Sequence, residues 1–460
     1  MAQNPASAAE AAKVDAPSDS ILVTSRRAYR GEFDPLETPA ADQVLGENLL
    51  RNANALDLNQ ALDLSAAVAR QNNFGGLWNS FSVRGFQGDI NLPSSFLVNG
   101  FNAGRGFGEP RDLSGIEAVE VLKGPRSAVY GRGEPGGTVN LITKRPEFDT
   151  SGYVQLQGGS FDFFRGDVDL QTTLGDAVDV QVAGFYEDAG SFRLSVDTQR
   201  FGIYPSITAR LGENTSVNYE LEYTEQDILF DRGVVFADEF GFSPRRTFIG
   251  EPGDGPIETE VLGHQLELQH EFSSNWSILA GLGYRDTSLR GNATEHNFGG
   301  SQTCFIDGQT ISRFFRFRNF DSEYFVARAE LAGQFDTGAL RHNLIVGADF
   351  DRFDNDQLIL RFRSGSIGGR DIADLDPAEF LLPNAFDPIY GQYPTPTPGP
   401  NTDRNDVLEG FGIYIQDQIE ITDRLQVRIG RRFDDFEQDL TNLRATPATT
   451  NTNKDERFSP

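Results

Sequence analysis

The sequence IEAVEVLKGPRSAVYGRGEPGGTVNLITKRP occupies residues 116–146 and carries more information about the fold than any other part of the chain. Apolar residues from Ile116 to Leu122 and from Thr138 to Thr143 predict two short strands. Between them, Gly124-Pro125 and the glycines from Gly131 to Gly137 supply positions that need a positive φ or a close backbone approach. The stretch therefore predicts a compact unit of two strands joined by a glycine-rich segment.

Three of these glycines, Gly131, Gly133 and Gly136, match the dinucleotide-binding pattern G-x-G-x-x-G. That pattern binds a pyrophosphate where a helix begins directly after the glycines. Here Pro135 lies inside the pattern and the strand-like sequence TVNLIT follows it. The sequence therefore argues against a nucleotide site.

The composition is strongly acidic and rich in glycine and phenylalanine. The chain of 460 residues carries a formal net charge of −28, which argues against a nucleic-acid partner. A content of 48 Gly and 37 Phe beside a mean hydropathy of −0.40 suits a membrane barrel with a polar lumen. No run of about 18 apolar residues predicts a membrane-spanning helix. Cys304 is the single cysteine, so no disulfide forms within the chain.

From Ser151 onward, apolar and polar residues alternate with a period of two, as from Val217 to Thr224. This alternation fits either a half-exposed soluble sheet or the lipid-facing wall of a barrel. Short turns alternate with long connections, and the three longest are Gln226–Glu258, Asp286–Asn319 and Asp354–Asn405. This alternation of short turns with long connections is typical of an outer-membrane barrel.

The alternating segments predict eleven strands, with a twelfth beginning near Asp455. Bacterial barrels close with an even number of strands, and plugged outer-membrane transporters have 22. We therefore expect residues 149–460 to form the N-terminal portion of a larger barrel. The sequence YPTPTPGP, residues 393–400, predicts a stretch without regular strand or helix.

The run at 116–146 resembles the plug domain of TonB-dependent outer-membrane receptors, most closely those for ferric siderophores. FSVRGFQGDINLPSSFLVNG, residues 81–100, is similar to another part of that plug, and residues 45–64 have helix-like spacing. The resemblance implies an all-β, antiparallel transmembrane β-barrel, incomplete in this chain. An N-terminal α+β plug domain, residues 36–148, is expected to fill its lumen, and residues 149–460 are expected to supply about 11–12 strands.

Residues 1–35 are predicted to be a disordered segment, because most of them are polar or small and lack periodicity. The start of the chain, MAQNPASAAEAAKV, shows no signal peptide and resembles a mature N-terminus. An isolated apolar cluster within the segment resembles the TonB box, which pairs with the energy-coupling protein TonB by strand addition. The alternative is that the same cluster docks as a strand on the plug of this chain. The predicted box consists of Asp19, Ser20, Ile21, Leu22, Val23 and Thr24.

By the same resemblance, the ligand is expected to meet outward-facing plug loops that carry aromatic and arginine side chains, which suit flat, anionic iron chelates. Arg84 in the sequence VRGF is expected to form an ion pair between plug and barrel. Neither a direct metal site nor a catalytic constellation is predicted, and His264 and His270 are expected at an aromatic girdle. The predicted ligand-binding residues are Trp78, Phe101, Arg105, Phe107 and Arg111.

The expected function is an outer-membrane receptor for TonB-dependent uptake of ferric siderophores into the periplasm. It is expected to be no enzyme and to need no cofactor. Its expected partners are TonB, the ferric siderophore and outer-membrane lipid, with no nucleic acid. The alternatives are a receptor for another chelate or nutrient (a vitamin, haem or an oligosaccharide), a truncated non-transporting fragment, and a soluble all-β binding protein.

Overall fold

The computed structural model describes residues 42–72, 74–86, 94–102, 106–108, 110–123, 136–297, 308–363, 374–422 and 425–459. Most of these residues lie in β-strands, which form a small N-terminal sheet and a large second sheet. Among them, no helix combines the length and the apolar character that crossing a membrane requires.

The N-terminal unit, called the plug below, combines short helices with a mixed sheet. Its five-stranded sheet has the order β1-β6-β7-β4-β5, in which only the pair β4/β7 is parallel. A separate antiparallel pair joins β2 and β3. Its elements are β1 (Asp42–Gly46), α1 (Glu47–Asn52), α2 (Leu58–Leu62), β2 (Val68–Arg70), a 3-10 turn (Phe74–Gly76), β3 (Phe81–Val83), β4 (Leu97–Val98), β5 (Phe101–Asn102), β6 (Ile116–Lys123) and β7 (Gly137–Thr143).

The two strands predicted from residues 116–146 are present as β6 and β7, which pair in an antiparallel ladder. A Cβ on Gly136 would overlap the backbone carbonyl oxygen of Val83, so this position requires glycine. The expected helical region at residues 45–64 is divided into α1 and α2, because Asn54 takes a positive φ of 50° between them. The buried core of the plug is apolar and includes Val119, Val121, Val139 and Leu141.

The second unit is a twelve-stranded antiparallel sheet in which each strand pairs with the next one along the chain. Strands β8 and β21 lie at its two edges. A two-stranded hairpin lies within the connection between β12 and β15. The strands are β8 (Ser151–Gly158), β9 (Phe164–Leu174), β10 (Val178–Gly190), β11 (Asp197–Arg210), β12 (Thr215–Ile228), the hairpin β13 (Phe236–Ala237) and β14 (Gly241–Phe242), β15 (Ile257–Ser273), β16 (Trp276–His296), β17 (Arg313–Thr337), β18 (Leu340–Arg363), β19 (Gly399–Thr422), β20 (Leu425–Asn442) and β21 (Thr449–Ser459).

The long connections are shorter than the sequence predicted, because the strands extend further. Strand β17 has 25 residues, about 80 Å at 3.3 Å per residue, whereas 9–11 residues suffice to cross a bilayer. The last strand begins at Thr449, six positions before the predicted start at Asp455. Gly399 and Pro400 belong to β19, so the prediction of no strand in residues 393–400 is wrong for these two. Pro400 is tolerated because it lies at the start of its strand, next to a bulge.

The two faces of the large sheet differ in polarity. The outer face exposes large apolar side chains such as Leu266, Leu282 and Phe350. His264 lies on this face between Tyr219 and Tyr284, with ring centroids 6.1 and 6.5 Å away. The inner face carries buried charged and polar side chains that contact the plug. This division is what a barrel with a lipid-facing wall and a filled lumen requires.

A short α-helix, α3 (Pro377–Phe380), and a 3-10 turn (Pro252–Asp254) lie in the connections beyond the long strands. Arg313 at the start of β17 joins these connections. It donates hydrogen bonds to the carbonyl oxygens of Ile249, Gly250 and Leu381. The connections at this end of the sheet are therefore tied to the strands by a buried side chain.

Candidate functional site

Ion pairs fix the end of β7 to the inner face of the sheet. Lys144 Nζ lies 2.7 Å from Asp169 of β9. Arg145 forms an ion pair with Glu220 of β12 and another, of 2.7 Å, with Glu267 of β15. All five side chains are at most 10% exposed, so each charge depends on its ion-pair partners rather than on water.

A second ionic contact joins the plug to β9 and β11. Arg165 lies 2.9 Å from Asp112 of the plug, and Arg200 lies 3.6 Å from the same carboxylate. Burial alone would raise the pKa of Asp112, but the two guanidiniums and the hydroxyl of Ser114 hold it below its ordinary value. Asp112 therefore stays ionised at neutral pH.

At the other end of the plug, rings from both units form a cluster that we call the aromatic bridge. Phe74 stacks on Trp78 with ring centroids 4.3 Å apart, and Trp78 meets Phe107 at 5.3 Å. The plug rings then contact the wall, because Phe107 lies 4.7 Å from Phe320 and Phe74 lies 5.4 Å from Phe230. The bridge thus connects the plug to β17 and to the connection after β12.

Three arginines surround one buried carboxylate beside the aromatic bridge; we call Arg232, Arg316, Arg318 and Glu295 the arginine cluster. The nitrogens of Arg318, Arg232 and Arg316 lie 2.6, 3.3 and 3.5 Å from Glu295. The guanidinium of Arg232 lies 4.8 Å from the centre of the Phe74 ring, and that of Arg318 lies 4.8 Å from that of Phe230. The cluster therefore touches the aromatic bridge through two cation–π contacts.

The arginine cluster has more positive charge than its single carboxylate can balance. Burial lowers the pKa of the Arg232 guanidinium; Glu295 opposes this effect and Arg318 adds to it. Arg316 Nε and Arg318 Nη1 are buried and donate no hydrogen bond to any described residue. Buried donors without partners are costly, so the cluster is suited to an anionic group that accepts these hydrogen bonds.

Three of the plug residues predicted to bind a ligand, Trp78, Phe101 and Phe107, are buried. Trp78 and Phe107 are 2% and 5% exposed and belong to the aromatic bridge. Phe101 packs against Tyr324, Val326 and Phe353 of the wall. Rings of the inner wall cover these side chains, and their contact with a ligand stays a prediction.

Arg111 is 5% exposed and forms an ion pair with Glu222 of β12, so its guanidinium is already engaged with the wall. Arg105 and the predicted TonB box, Asp19–Thr24, lie outside the described residues. Arg84 is exposed in the turn after β3, with a φ of 53°, and forms no ion pair with another described residue. Its role as a contact between plug and barrel stays a prediction.

The sequence analysis missed the arginine cluster because all four residues lie in segments interpreted as long connections. The alternation in RFFRFR, residues 313–318, contains the signal. Arg316, Arg318 and Phe320 occupy every second position and share the inner face. A period of two in an arginine-rich segment would have indicated a strand that carries cations into the lumen.

A plug joined by ion pairs to the inner wall of a large antiparallel sheet with an apolar outer face is the architecture of a plugged outer-membrane barrel. Family comparison agrees: the family model TonB-dependent Receptor Plug Domain matches residues 34–138, and TonB dependent receptor-like, beta-barrel matches residues 202–460. The chain belongs to the TonB-dependent receptors. This membership confirms the predicted family, fold class and outer-membrane location, and the family is one of receptors and transporters rather than enzymes.

Among curated proteins, the chain is similar to the metal-pseudopaline receptor CntO of Pseudomonas aeruginosa, with 34% identity over 411 residues, 89% of this chain and 55% of that receptor. It is also similar to the ferrioxamine B receptor of Salmonella typhimurium, with 25% identity over 449 residues, 91% of this chain and 58% of that receptor. The chain thus spans little more than half the length of these relatives.

Solved structures share the fold. The siderophore receptor PiuA from Acinetobacter baumannii superposes with a TM-score of 0.82 at 22% identity, covering 95% of this chain and 64% of that one. The ferric-catecholate import receptor Fiu from E. coli gives a TM-score of 0.78 at 19% identity, covering 92% of this chain and 62% of that one.

Proposed function

We propose that this chain forms the plug and part of the barrel of a receptor that takes up an anionic metal chelate of the ferric-siderophore class. The observation that carries the proposal is the arginine cluster, where three cations surround one carboxylate and two buried N–H donors lack acceptors. The named ligands of two relatives, metal-pseudopaline and ferrioxamine B, are metal chelates, which supports a chelate as the ligand; its anionic character is inferred from the arginine cluster.

Like the arginines, the rings of the aromatic bridge suit such a ligand. Metal chelates present flat groups and anionic oxygens, which pair with aromatic faces and guanidinium forks. Arg232 and Arg316 keep 17% of their side-chain surface exposed, so an incoming oxygen can reach them. An uncharged vitamin or oligosaccharide would gain nothing from this excess of positive charge.

Ligand binding can be followed through the protein's own fluorescence. The chain has two tryptophans, of which Trp78 lies in the aromatic bridge and Trp276 begins β16 at the opposite end of the sheet. Trp276 is about 40 Å along the strand from Leu289, which packs in the same cluster as Trp78. A Trp276→Phe background therefore leaves Trp78, at the proposed site, as the one tryptophan within residues 1–460.

The test titrates the purified receptor, in this background, with a panel of ferric siderophores and aminocarboxylate metal chelates. Arg316→Ala should weaken binding of the best ligand by about 1.5–3 kcal/mol, the range for a hydrogen bond to a charged group. Arg290→Ala is the matched control, because it removes the same charge from an exposed position on the neighbouring strand. Equal affinities of both variants and the parent would refute the site, and preference for a neutral nutrient would refute the ligand class.

We also propose that transport is energised by TonB through residues 19–24. Val23→Pro removes a backbone donor and fixes φ, so it should abolish uptake while ligand affinity stays unchanged. Growth on the cognate chelate and fluorescence titration measure the two effects separately. Normal uptake by the variant would overturn the assignment of the box, and a loss of binding would show that the segment has another role.

A further inference from the structure

Asp179 on β10 is a fully buried carboxylate to which the described residues supply no partner. Its exposure is 0%, and neither of its oxygens accepts a hydrogen bond from that part of the chain. It lies on the inner face of the sheet, directly opposite Thr173 of β9 and Thr208 of β11. The hydroxyl of Thr208 points elsewhere, since it donates to Asn218. A buried carboxylate without a partner is energetically unfavourable.

Two further oxygens without partners lie next to this carboxylate. Gln181 is two residues along the same face of β10, about 7 Å in strand rise. Ser206 is directly opposite Gln181 on β11. The Oε1 of Gln181 and the Oγ of Ser206 are buried and accept no hydrogen bond. The amide of Gln181 is oriented by its donation to Asp169 over 2.7 Å, which directs the oxygen away from that carboxylate.

The surrounding charges also favour a cation. The buried charged groups on this part of the plug–wall interface comprise more anions than cations. The carboxylates are Asp169, Asp179, Glu220 and Glu267, and the cations are Lys144 and Arg145. A patch that buries this excess of negative charge is stabilised by a bound positive ion.

We propose that Asp179, Gln181 and Ser206 bind a divalent cation, best Ca²⁺, between the barrel wall and the plug. Ca²⁺ takes oxygen ligands from carboxylates, amides and water in flexible geometry, whereas Mg²⁺ demands a nearly ideal octahedron. Ser206 also lines a cavity of about 70 Å³ at this interface, so water can approach the proposed site from the side of Ser206. Within the described ranges, no group of three or more His, Cys, Asp or Glu side chains could hold a metal ion. The proposed site is of another kind, because two of its three ligands are the neutral oxygens of Gln181 and Ser206.

The first measurement is calcium binding to the purified protein, refolded free of lipopolysaccharide in a defined detergent and stripped with a chelator. Equilibrium dialysis with Ca²⁺ should show one site that Asp179→Asn weakens at least tenfold. Asp176→Asn is the matched control, since it removes the same charge from an exposed turn three residues away. If Asp179→Asn binds Ca²⁺ as tightly as Asp176→Asn does, the proposal is overturned.

The second measurement separates a cation site from an isolated buried charge that merely destabilises the fold. In chelator, Asp179→Asn should be more stable than the parent, because the unpaired charge is gone. In millimolar Ca²⁺ the order should reverse, because only the parent gains from the ion. Mg²⁺ should produce a smaller effect. Parent stability that does not respond to Ca²⁺ would also overturn the proposal.

Discussion

Replacing Arg145 by methionine tests whether ion pairs hold the plug in the barrel. Methionine keeps much of the volume and removes the charge, so Glu220 and Glu267 stay buried without their cation. Glu220 keeps hydrogen bonds from Asn99, Thr143 and Asn218. Glu267, with a side chain 1% exposed, keeps only the amide of Gln269. Removing one member of a buried pair costs about 3–5 kcal/mol.

Amide hydrogen exchange in β6 and β7 measures this loss, because these amides exchange only when the plug opens. The expected loss corresponds to exchange roughly 10²- to 4 × 10³-fold faster, at about 1.4 kcal/mol per factor of ten. Arg70→Met is the matched control, since Arg70 pairs with Asp63 on the plug surface, with side chains 46% and 52% exposed. An exposed pair contributes at most about 1 kcal/mol.

The double variant Arg145→Met/Glu267→Gln should recover part of the loss, because the most poorly compensated carboxylate is removed as well. Acceleration of less than tenfold in Arg145→Met, or an effect equal to that of Arg70→Met, would refute the reasoning. It would show that the plug is held by its apolar contacts and that the buried ion pairs add little.

Three further variants test other parts of the structure. Phe107→Ala should destabilise the contact between plug and wall by about 3–5 kcal/mol. The loss should appear as stronger quenching of Trp78 fluorescence by acrylamide, and unchanged quenching would contradict the aromatic bridge. Gly136→Ala should disturb the plug, since its Cβ meets the carbonyl oxygen of Val83, and wild-type exchange in β7 would contradict this. Burial raises the pKa of Asp254 to about 6, so the folded form binds its proton more tightly than the unfolded form. The loop around Asp254 should therefore lose stability as the pH rises from about 4 to 6, measured as faster amide hydrogen exchange. Asp254→Asn should abolish this pH dependence. If the pH dependence persists in the variant, Asp254 is not its cause.

The fold was largely predictable because the period of two and the glycine-rich run are local signals. Strands β6 and β7 were found to within one residue of their ends. The extent of the long strands was not predictable in the same way. Residues 286–296 have the polar composition of a loop although they continue β16, so only pairing with the neighbouring strands identifies them. Residues 313–319 keep a period of two that indicates a strand, but the sequence analysis included them in a long connection.

The candidate site could be predicted only in part, because it joins distant segments. Aromatic and arginine side chains were expected near the plug apex, and the aromatic bridge includes Trp78 and Phe107. Their burial depends on Phe230 and Phe320, more than a hundred residues further along the chain. Local sequence around a glycine-rich loop contains no sign that another segment will cover it. The buried state of these rings therefore needed the three-dimensional structure.

The contacts of Phe74 suggest how the proposed ligand would act on the plug. Arg232 and Arg318 lie over this ring while they hold Glu295, so any anion that draws the guanidiniums away weakens the cation–π contacts. Such contacts contribute about 0.5–2 kcal/mol each, which is enough to shift the position of a short turn. Phe74 begins the 3-10 turn before Trp78, and Gly75 and Gly76 of that turn lie directly against Phe230 and Ile228. Under the proposed function, a ligand's negative charge at the arginine cluster therefore shifts the backbone of the plug at this turn. The buried ion pairs of Lys144 and Arg145 meanwhile hold the end of β7 in place.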